Sequence, residues 1–359
     1  MQNSSLYYSD YLELNKILDS QHPKSFEIPN QPAHDEMLFI IIHQAFELWF
    51  KQIRFELDYV CKVFRKEKIN DNSEDLNLVA HRLNRVVKIL DLLNEQVSIL
   101  DTMTPLDFLE FRNLLIPSSG FQSLQFRLIE AQLGLRTDQR HQAAYYKRTG
   151  EGGFTASDFE NINQIEKENS VLELVNNWLE RMPFFELQYW KNYPQRFPNT
   201  TGVHPFWNDY AHLYTNSLSE KEAGKVRDFG HLFLGEPAEE GSELNPALSP
   251  DALKSGLFIM LYRDFPFFQN SFRILDTLIE IDHTLSTWRY KHLMMVRRMI
   301  GMRVGTGNTT GAGYLEGALQ RHYVFKDLAG LNTFLIERKN LPALPKDLIS
   351  SLGFQESQK

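Results

Sequence analysis

Phe39-Ile40-Ile41-Ile42-His43-Gln44-Ala45-Phe46-Glu47-Leu48-Trp49-Phe50 lies in a longer stretch, residues 34 to 65. There Leu38, Ile42, Ala45, Phe46, Trp49, Ile53, Phe55 and Val60 recur at spacings near three and four, the repeat of an α-helix with one buried face. Residues 74 to 100 repeat the pattern with Leu76, Val79, Leu83, Val86, Ile89, Leu93 and Val97. Thr104 and Pro105 then read as the N-cap and first position of a short helix that ends before Pro117. Further helix is expected over Phe121 to Leu133, over 166 to 181, and over a long segment from about Phe267 to Met302. Residues 135 to 165 and 235 to 250 are polar or rich in Gly and Pro, and read as loops. No strand-like alternation persists beyond four or five residues, and no repeat or linker divides the chain. The expected class is all-α, a large helical bundle forming one unit over residues 1–359, with 1–30 as an N-terminal arm.

Composition narrows the function. The 359 residues carry 38 basic and 46 acidic side chains, a net charge of −8, which argues against a phosphate-binding face and so against nucleic acid. The longest apolar runs, Met37 to Ile42 and Leu257 to Tyr262, are six residues each, too short to span a bilayer. The N-terminus shows no basic-then-apolar leader. One cysteine, Cys61, excludes an intrachain disulfide, a Cys-based zinc site and a Cys-ligated iron–sulfur cluster. It also fits a reducing, cytoplasmic setting. Aromatic content is high, with 26 Phe, 14 Tyr and 5 Trp making 13% of the chain. A fold must either pack these rings or use them.

With thiolates nearly absent, the eleven histidines are the remaining soft ligands. On a helix His43 shares its face with Phe39, Phe46 and Phe50. It reads either as a hydrogen-bonded core histidine or as a neutral imidazole lining an aromatic pocket. His292 has Trp288, Met295, Val296 and Met299 as helical neighbours. That is either ordinary packing or the proximal side of a flat macrocycle. No Cys-x-x-Cys-His is present, so a haem would be held non-covalently. Glu280-Ile281-Asp282-His283 is the single Glu-x-x-His, whereas a di-iron bundle needs two such pairs. Arg112, four residues after Phe108, reads either as a carboxylate clamp beside an aromatic wall or as a salt-bridge partner. The segment Gly305-Thr306-Gly307-Asn308-Thr309-Thr310-Gly311 lacks the Lys-Ser/Thr of a P-loop and follows no strand, which leaves a hydroxyl-rich lid over a ligand.

Taken in order, these strings closely resemble the tryptophan 2,3-dioxygenase family. The resemblance rests on His34-Asp35-Glu36, on Phe39 through Gln52, on Met103-Thr104-Pro105-Leu106-Asp107-Phe108 and on Phe111-Arg112. It continues in Ser119-Gly120-Phe121-Gln122-Ser123-Leu124-Gln125-Phe126-Arg127, Trp288-Arg289-Tyr290-Lys291-His292, Arg298-Met299-Ile300-Gly301 and Gly305-Thr306-Gly307. The match runs from about Tyr8 to Leu335.

The resemblance implies a cytoplasmic, all-helical haem b homotetramer that opens the indole ring of L-tryptophan with O₂, giving N-formyl-L-kynurenine, the first step of tryptophan degradation. It implies His292 as proximal iron ligand and His43 as the distal group meeting the indole N–H. Arg112 becomes the clamp for the substrate carboxylate, with Thr306 partnering the ammonium or carboxylate. Phe39 and Phe108 wall the indole, and Ile40, Ile41 and Ile42 share that substrate segment. Trp288, Ser119, Gly120, Arg127 and Met295 are expected near the haem. Tyr8 and Tyr11 match tyrosines that reach into a neighbouring subunit's pocket.

The family usually reads Gly-Thr-Gly-Gly-Ser-Ser-Gly at its substrate loop, so Asn308, Thr309 and Thr310 depart from it, a change expected to stiffen the segment. That departure keeps a haem monooxygenase of another indole or phenol as an alternative. A non-catalytic haem or tryptophan sensor is a third, and the joint presence of His43, Arg112 and Thr306 argues against it.

Overall fold

The computed structural model describes residues 6–69, 73–135, 153–200, 202–238, 244–301, 303, 315–317, 319 and 321–352. In chain order the α-helices are α1 (Tyr8–Tyr11), α2 (Leu14–Ile17), α3 (Glu36–Phe64), α4 (Glu74–Leu100), α5 (Pro105–Phe111), α6 (Leu124–Leu133) and α7 (Ala156–Glu166). They continue with α8 (Val171–Glu180), α9 (Pro205–Ser217), α10 (Lys225–Phe229), α11 (Pro250–Leu261), α12 (Gln269–Ile300), α13 (Lys326–Gly330) and α14 (Lys346–Leu352). No β-strand occurs among the described residues. Among them, no helix is long and apolar enough to cross a membrane.

Three long helices carry the architecture, with α4 packed between α3 and α12. The apolar repeat of α4 is buried as its spacing requires, and Leu83 and Leu93 have no exposed surface. Burying each such leucine contributes about 1.5–3 kcal/mol. Ser73 starts α4 by accepting from the Leu76 N–H. Two polar contacts set its register on α12: Asn94 Nδ2 donates to the Thr284 carbonyl at 3.1 Å, and Lys291 Nζ donates to the Asn94 carbonyl at 2.9 Å. Thr104 and Asp107 cap α5 reciprocally, as the Thr-Pro start predicts.

Several boundaries differ from those predicted. Helix α12 stops at Ile300 because Gly301 takes φ +57° with ψ −127°, a backbone region that disfavours side chains. Ala156–Glu166 is helix rather than loop, opened by a Thr155–Asp158 capping box. Only Ile162 of that helix is buried, so its apolar stripe was too thin to show a period. The stretch 166 to 181 breaks between Glu166 and Val171, where Ser170 caps α8. Phe55, counted in the apolar repeat of α3, is 70% exposed and shares the outer face with exposed Ile41 and Leu48 at seven-residue spacing.

Much of the aromatic excess packs the second half of the chain. Phe184, Phe206, Trp207, Phe229, Phe233 and Phe258 join α9, α10 and α11 through ring centroids 4.8–6.3 Å apart. Tyr210 and Tyr262 donate their hydroxyls to the carbonyls of Phe334 and Pro342, which ties down the C-terminal segment.

Candidate functional site

A cavity of about 500 Å³ opens between α3, the end of α4, α5, α6 and α12. Its size lies within the range of small-molecule and cofactor sites. The period of α3 turns Phe39, His43, Phe46, Glu47 and Phe50 toward it. From α12 come Trp288, Arg289, His292, Met295 and Met299, again at spacings of one, three and four. Phe108 and Arg112 enter from α5 and the turn after it, and Ser119 and Gly120 from the turn before α6.

The walls are aromatic at both ends of the histidine pair. Phe39 lies 4.1 Å from the His43 ring and 5.8 Å from Phe108, while Phe111 meets Phe39 edge-on at 5.6 Å. Around the other imidazole, Trp288 stacks on His292 at 5.1 Å and 28° and lies 4.9 Å from Phe126. Phe46 and Phe50 meet Trp288 edge-on at 6.3 and 6.0 Å.

The two imidazoles are held neutral, and the tautomer of His43 follows from its partner. His43 Nδ1 is 2.7 Å from the Phe39 carbonyl, which can only accept, so Nδ1 carries the proton. Its Nε2 keeps the lone pair. Burial pulls the His43 pKa below the ordinary imidazole value, against the opposing pull of that hydrogen bond. Burial, helped by His43 nearby, pushes His292 down to about 4. His292 Nδ1 and Trp288 Nε1 are buried with no hydrogen-bond partner among the described residues. Two orphaned buried polar atoms on one cavity wall mark a surface that the described residues leave incomplete.

Polar groups occupy another part of the wall. Ser123 Oγ donates to Glu47 Oε1 at 2.5 Å, joining α3 to the cap of α6, and burial raises the Glu47 pKa. Glu130 of α6 accepts from Arg127 Nη1 at 3.0 Å and from Arg289 Nη2 at 2.9 Å. No group of three or more His, Cys, Asp or Glu side chains that could hold a metal ion occurs among the described residues. Glu280 and His283 are exposed on α12 and lie outside the cavity, so the lone Glu-x-x-His is a solvated face.

Of the residues singled out from sequence, Phe39, His43, Phe108, Arg112, Ser119, Gly120, Arg127, Trp288, His292 and Met295 all line this one cavity. Ile40, Ile41 and Ile42 do not: Ile42 is 5% exposed in the main core, Ile41 is 47% exposed, and Ile40 lies off the cavity face. A helix turns each successive side chain by about 100°, so three consecutive isoleucines cannot face one pocket. Tyr8 and Tyr11 are 74% and 70% exposed and do not enter the cavity of their own chain. Thr306 and Asn308 to Thr310 lie outside the described residues. Sequence reasoning missed Glu47, Glu130, Arg289 and His322. Glu47 was legible as the residue one turn beyond His43, and Arg289 as the residue three before His292, whereas His322 gave no signal.

The family described as tryptophan 2,3-dioxygenase matches residues 1–335 of the chain. The tryptophan 2,3-dioxygenase of Bdellovibrio bacteriovorus is 40% identical, with 99% of each chain covered. Those of Alteromonas mediterranea and Dictyostelium discoideum are 38% and 40% identical, covering 97% of this chain and 97% and 88% of their own lengths.

Proposed function

Since the chain belongs to the tryptophan 2,3-dioxygenase family, we propose that its aromatic cavity is the site where L-tryptophan meets O₂ beside an iron protoporphyrin held by His292. The enzyme is an oxidoreductase that converts tryptophan to N-formyl-L-kynurenine. The observation that carries the site assignment is the pair of neutral imidazoles, His43 from α3 and His292 from α12, facing one apolar cavity.

The residues present suit haem b bound without covalent links. A single histidine, rather than a cage of ligands, is what a macrocycle requires of the protein, and the walls around His292 are flat and apolar. Its ring carries no proton at neutral pH beyond the one a neutral imidazole needs, so a lone pair is available for iron. Trp288, Met295, Ser119, Gly120 and Arg127 would enclose the macrocycle. When bound to His292, ferrous haem would supply the site that binds and activates O₂.

The remaining steps belong to the polypeptide. Phe39 and Phe108 bury the indole, contributing about 25 cal/mol for each Å² removed from water, and they exclude water from the reacting end. His43 Nε2 accepts the indole N–H and so fixes the position of the ring's 2,3 bond. Arg112 takes the carboxylate with its planar fork, and Thr306 completes the grip on the amino-acid end. Tyr8, Tyr11 and the Ile41–Leu48–Phe55 stripe are exposed here and suit burial against neighbouring subunits in a homotetramer. The cytoplasm is the setting that fits one buried, unpaired cysteine.

Haem-loaded protein given L-tryptophan in air should gain the near-ultraviolet absorbance of N-formyl-kynurenine, and a ferrous, haem-replete enzyme that forms none contradicts the proposal. His43→Ala should keep its haem while turnover falls by about tenfold, the value of one lost hydrogen bond in a buried site. Because burial lowers the His43 pKa, Nε2 stays free to accept through neutral pH and is lost only on acidification. The acid limb of the turnover profile should therefore lie below the ordinary imidazole value and disappear in His43→Ala. A limb unchanged in the variant would assign it to another group.

A further inference from the structure

Glu130 and Arg289 have no part in the chemistry above, yet both line the cavity and are 1% and 4% exposed. Arg289 Nη2 donates to Glu130 Oε1 at 2.9 Å, and Arg127 Nη1 donates to Oε2 at 3.0 Å. The His322 ring stands with Nδ1 3.3 Å from Oε1, and Arg289 Nη1 donates to the His322 carbonyl at 3.0 Å. One carboxylate therefore joins α6, α12 and the chain returning at residue 322. Two turns earlier on α12, buried Asp282 accepts from the Val324 and Phe325 N–H groups, a second tie to the same returning segment.

Arg289 precedes His292 by three residues, so the two side chains are neighbours on the helix surface. Other ties around this part of α12 are weaker. Arg297–Glu316 and Arg298–Asp101 are ion pairs with both partners at least 41% exposed, which solvent and salt screen. Lys291 reaches the Asn94 carbonyl from an exposed position. Among the described residues, the Glu130–Arg289 pair is thus the dry ion pair closest in sequence to His292.

We propose that Glu130 is a positioning residue for His292, acting through Arg289 to fix the rotation of α12 and so the aim of the imidazole at the iron. The inference rests on the reading of His292 as the iron's ligand. Groups behind a metal ligand set its orientation, and their loss weakens metal binding without removing the ligand.

Glu56 provides a comparison away from the cavity, a buried carboxylate also held by two arginines, though these are more exposed than Arg127 and Arg289. It is 2% exposed, holds Arg85 at 2.8 Å and Arg82 at 3.5 Å between α3 and α4, and lies outside the cavity. Haem-loaded wild type, Glu130→Gln and Glu56→Gln would be compared for thermal midpoint, Soret spectrum and the rate of haem transfer to excess apomyoglobin. Both variants should lose stability. Glu130→Gln alone should release haem about tenfold faster or more and show a shifted or split ferrous Soret band. Should Glu130→Gln fail to fold, Arg289→Lys is measured in the same way, since lysine keeps the charge but not the fork that bridges Glu130 and the His322 carbonyl. It should show the same faster release and altered Soret band. Equal acceleration of haem release in the cavity variant and in Glu56→Gln, or none in either, would overturn the proposal by making the cluster structural only. Wild-type protein that takes up no haem overturns the reading of His292 itself, and the inference falls with it.

Discussion

His292→Ala is expected to abolish turnover and to strip the enzyme of stably bound haem. Among the described residues of the proposed site, His292 is the imidazole with a buried ring nitrogen that has no partner. His43 is not expected to replace it, because the Nε2 lone pair left free by its Nδ1–H bond to the Phe39 carbonyl is assigned to the indole N–H. The effect should be specific. His292 sits on a 32-residue helix whose buried apolar residues, among them Leu278, Ile281 and Leu285, do not include it. Far-ultraviolet helicity should accordingly match wild type while the Soret band collapses. Imidazole added in solution should restore part of that band by occupying the vacated volume, without restoring full turnover. An unchanged haem spectrum in His292→Ala would remove the ligand assignment.

Arg112→Leu carries the second large effect. An apolar cavity recognises indole through area alone, and area does not distinguish tryptophan from tryptamine. A guanidinium fork on the carboxylate contributes roughly 2–3 kcal/mol, so its loss should raise the Michaelis constant for tryptophan on the order of 100-fold. The constant for O₂ should change little, since O₂ makes no contact with the amino-acid end. The preference for tryptophan over tryptamine should shrink by a similar factor. A parallel rise in both Michaelis constants would instead indicate a general collapse of the cavity around Arg112.

The three long helices were legible in the sequence because each buries a stripe at spacings of three and four, as in Leu76, Val79, Leu83, Val86 and Leu93. Helix α7 was not, since one buried residue, Ile162, leaves no period to read. The histidines of the cavity were legible from their helical neighbours and from family resemblance together. Ile40 to Ile42 share the substrate segment that the resemblance implies, while the helix spreads their side chains over three directions. The Glu130 cluster was hidden for a different reason. Its partners Arg289 and His322 lie 159 and 192 residues away, and only tertiary packing brings them together. The aromatic excess divides accordingly, with one set of rings around the two imidazoles and a larger set packing α9 to α11.

In the proposed reaction this cavity directs both atoms of O₂ into the indole 2,3 bond of L-tryptophan. Reacting the haem-loaded enzyme with L-tryptophan under ¹⁸O₂ and weighing the product tests it most directly. The expected product is N-formyl-kynurenine carrying two labelled oxygen atoms. A product with a single labelled oxygen would contradict it and identify a monooxygenase, and unreacted tryptophan beside bound O₂ would identify a sensor.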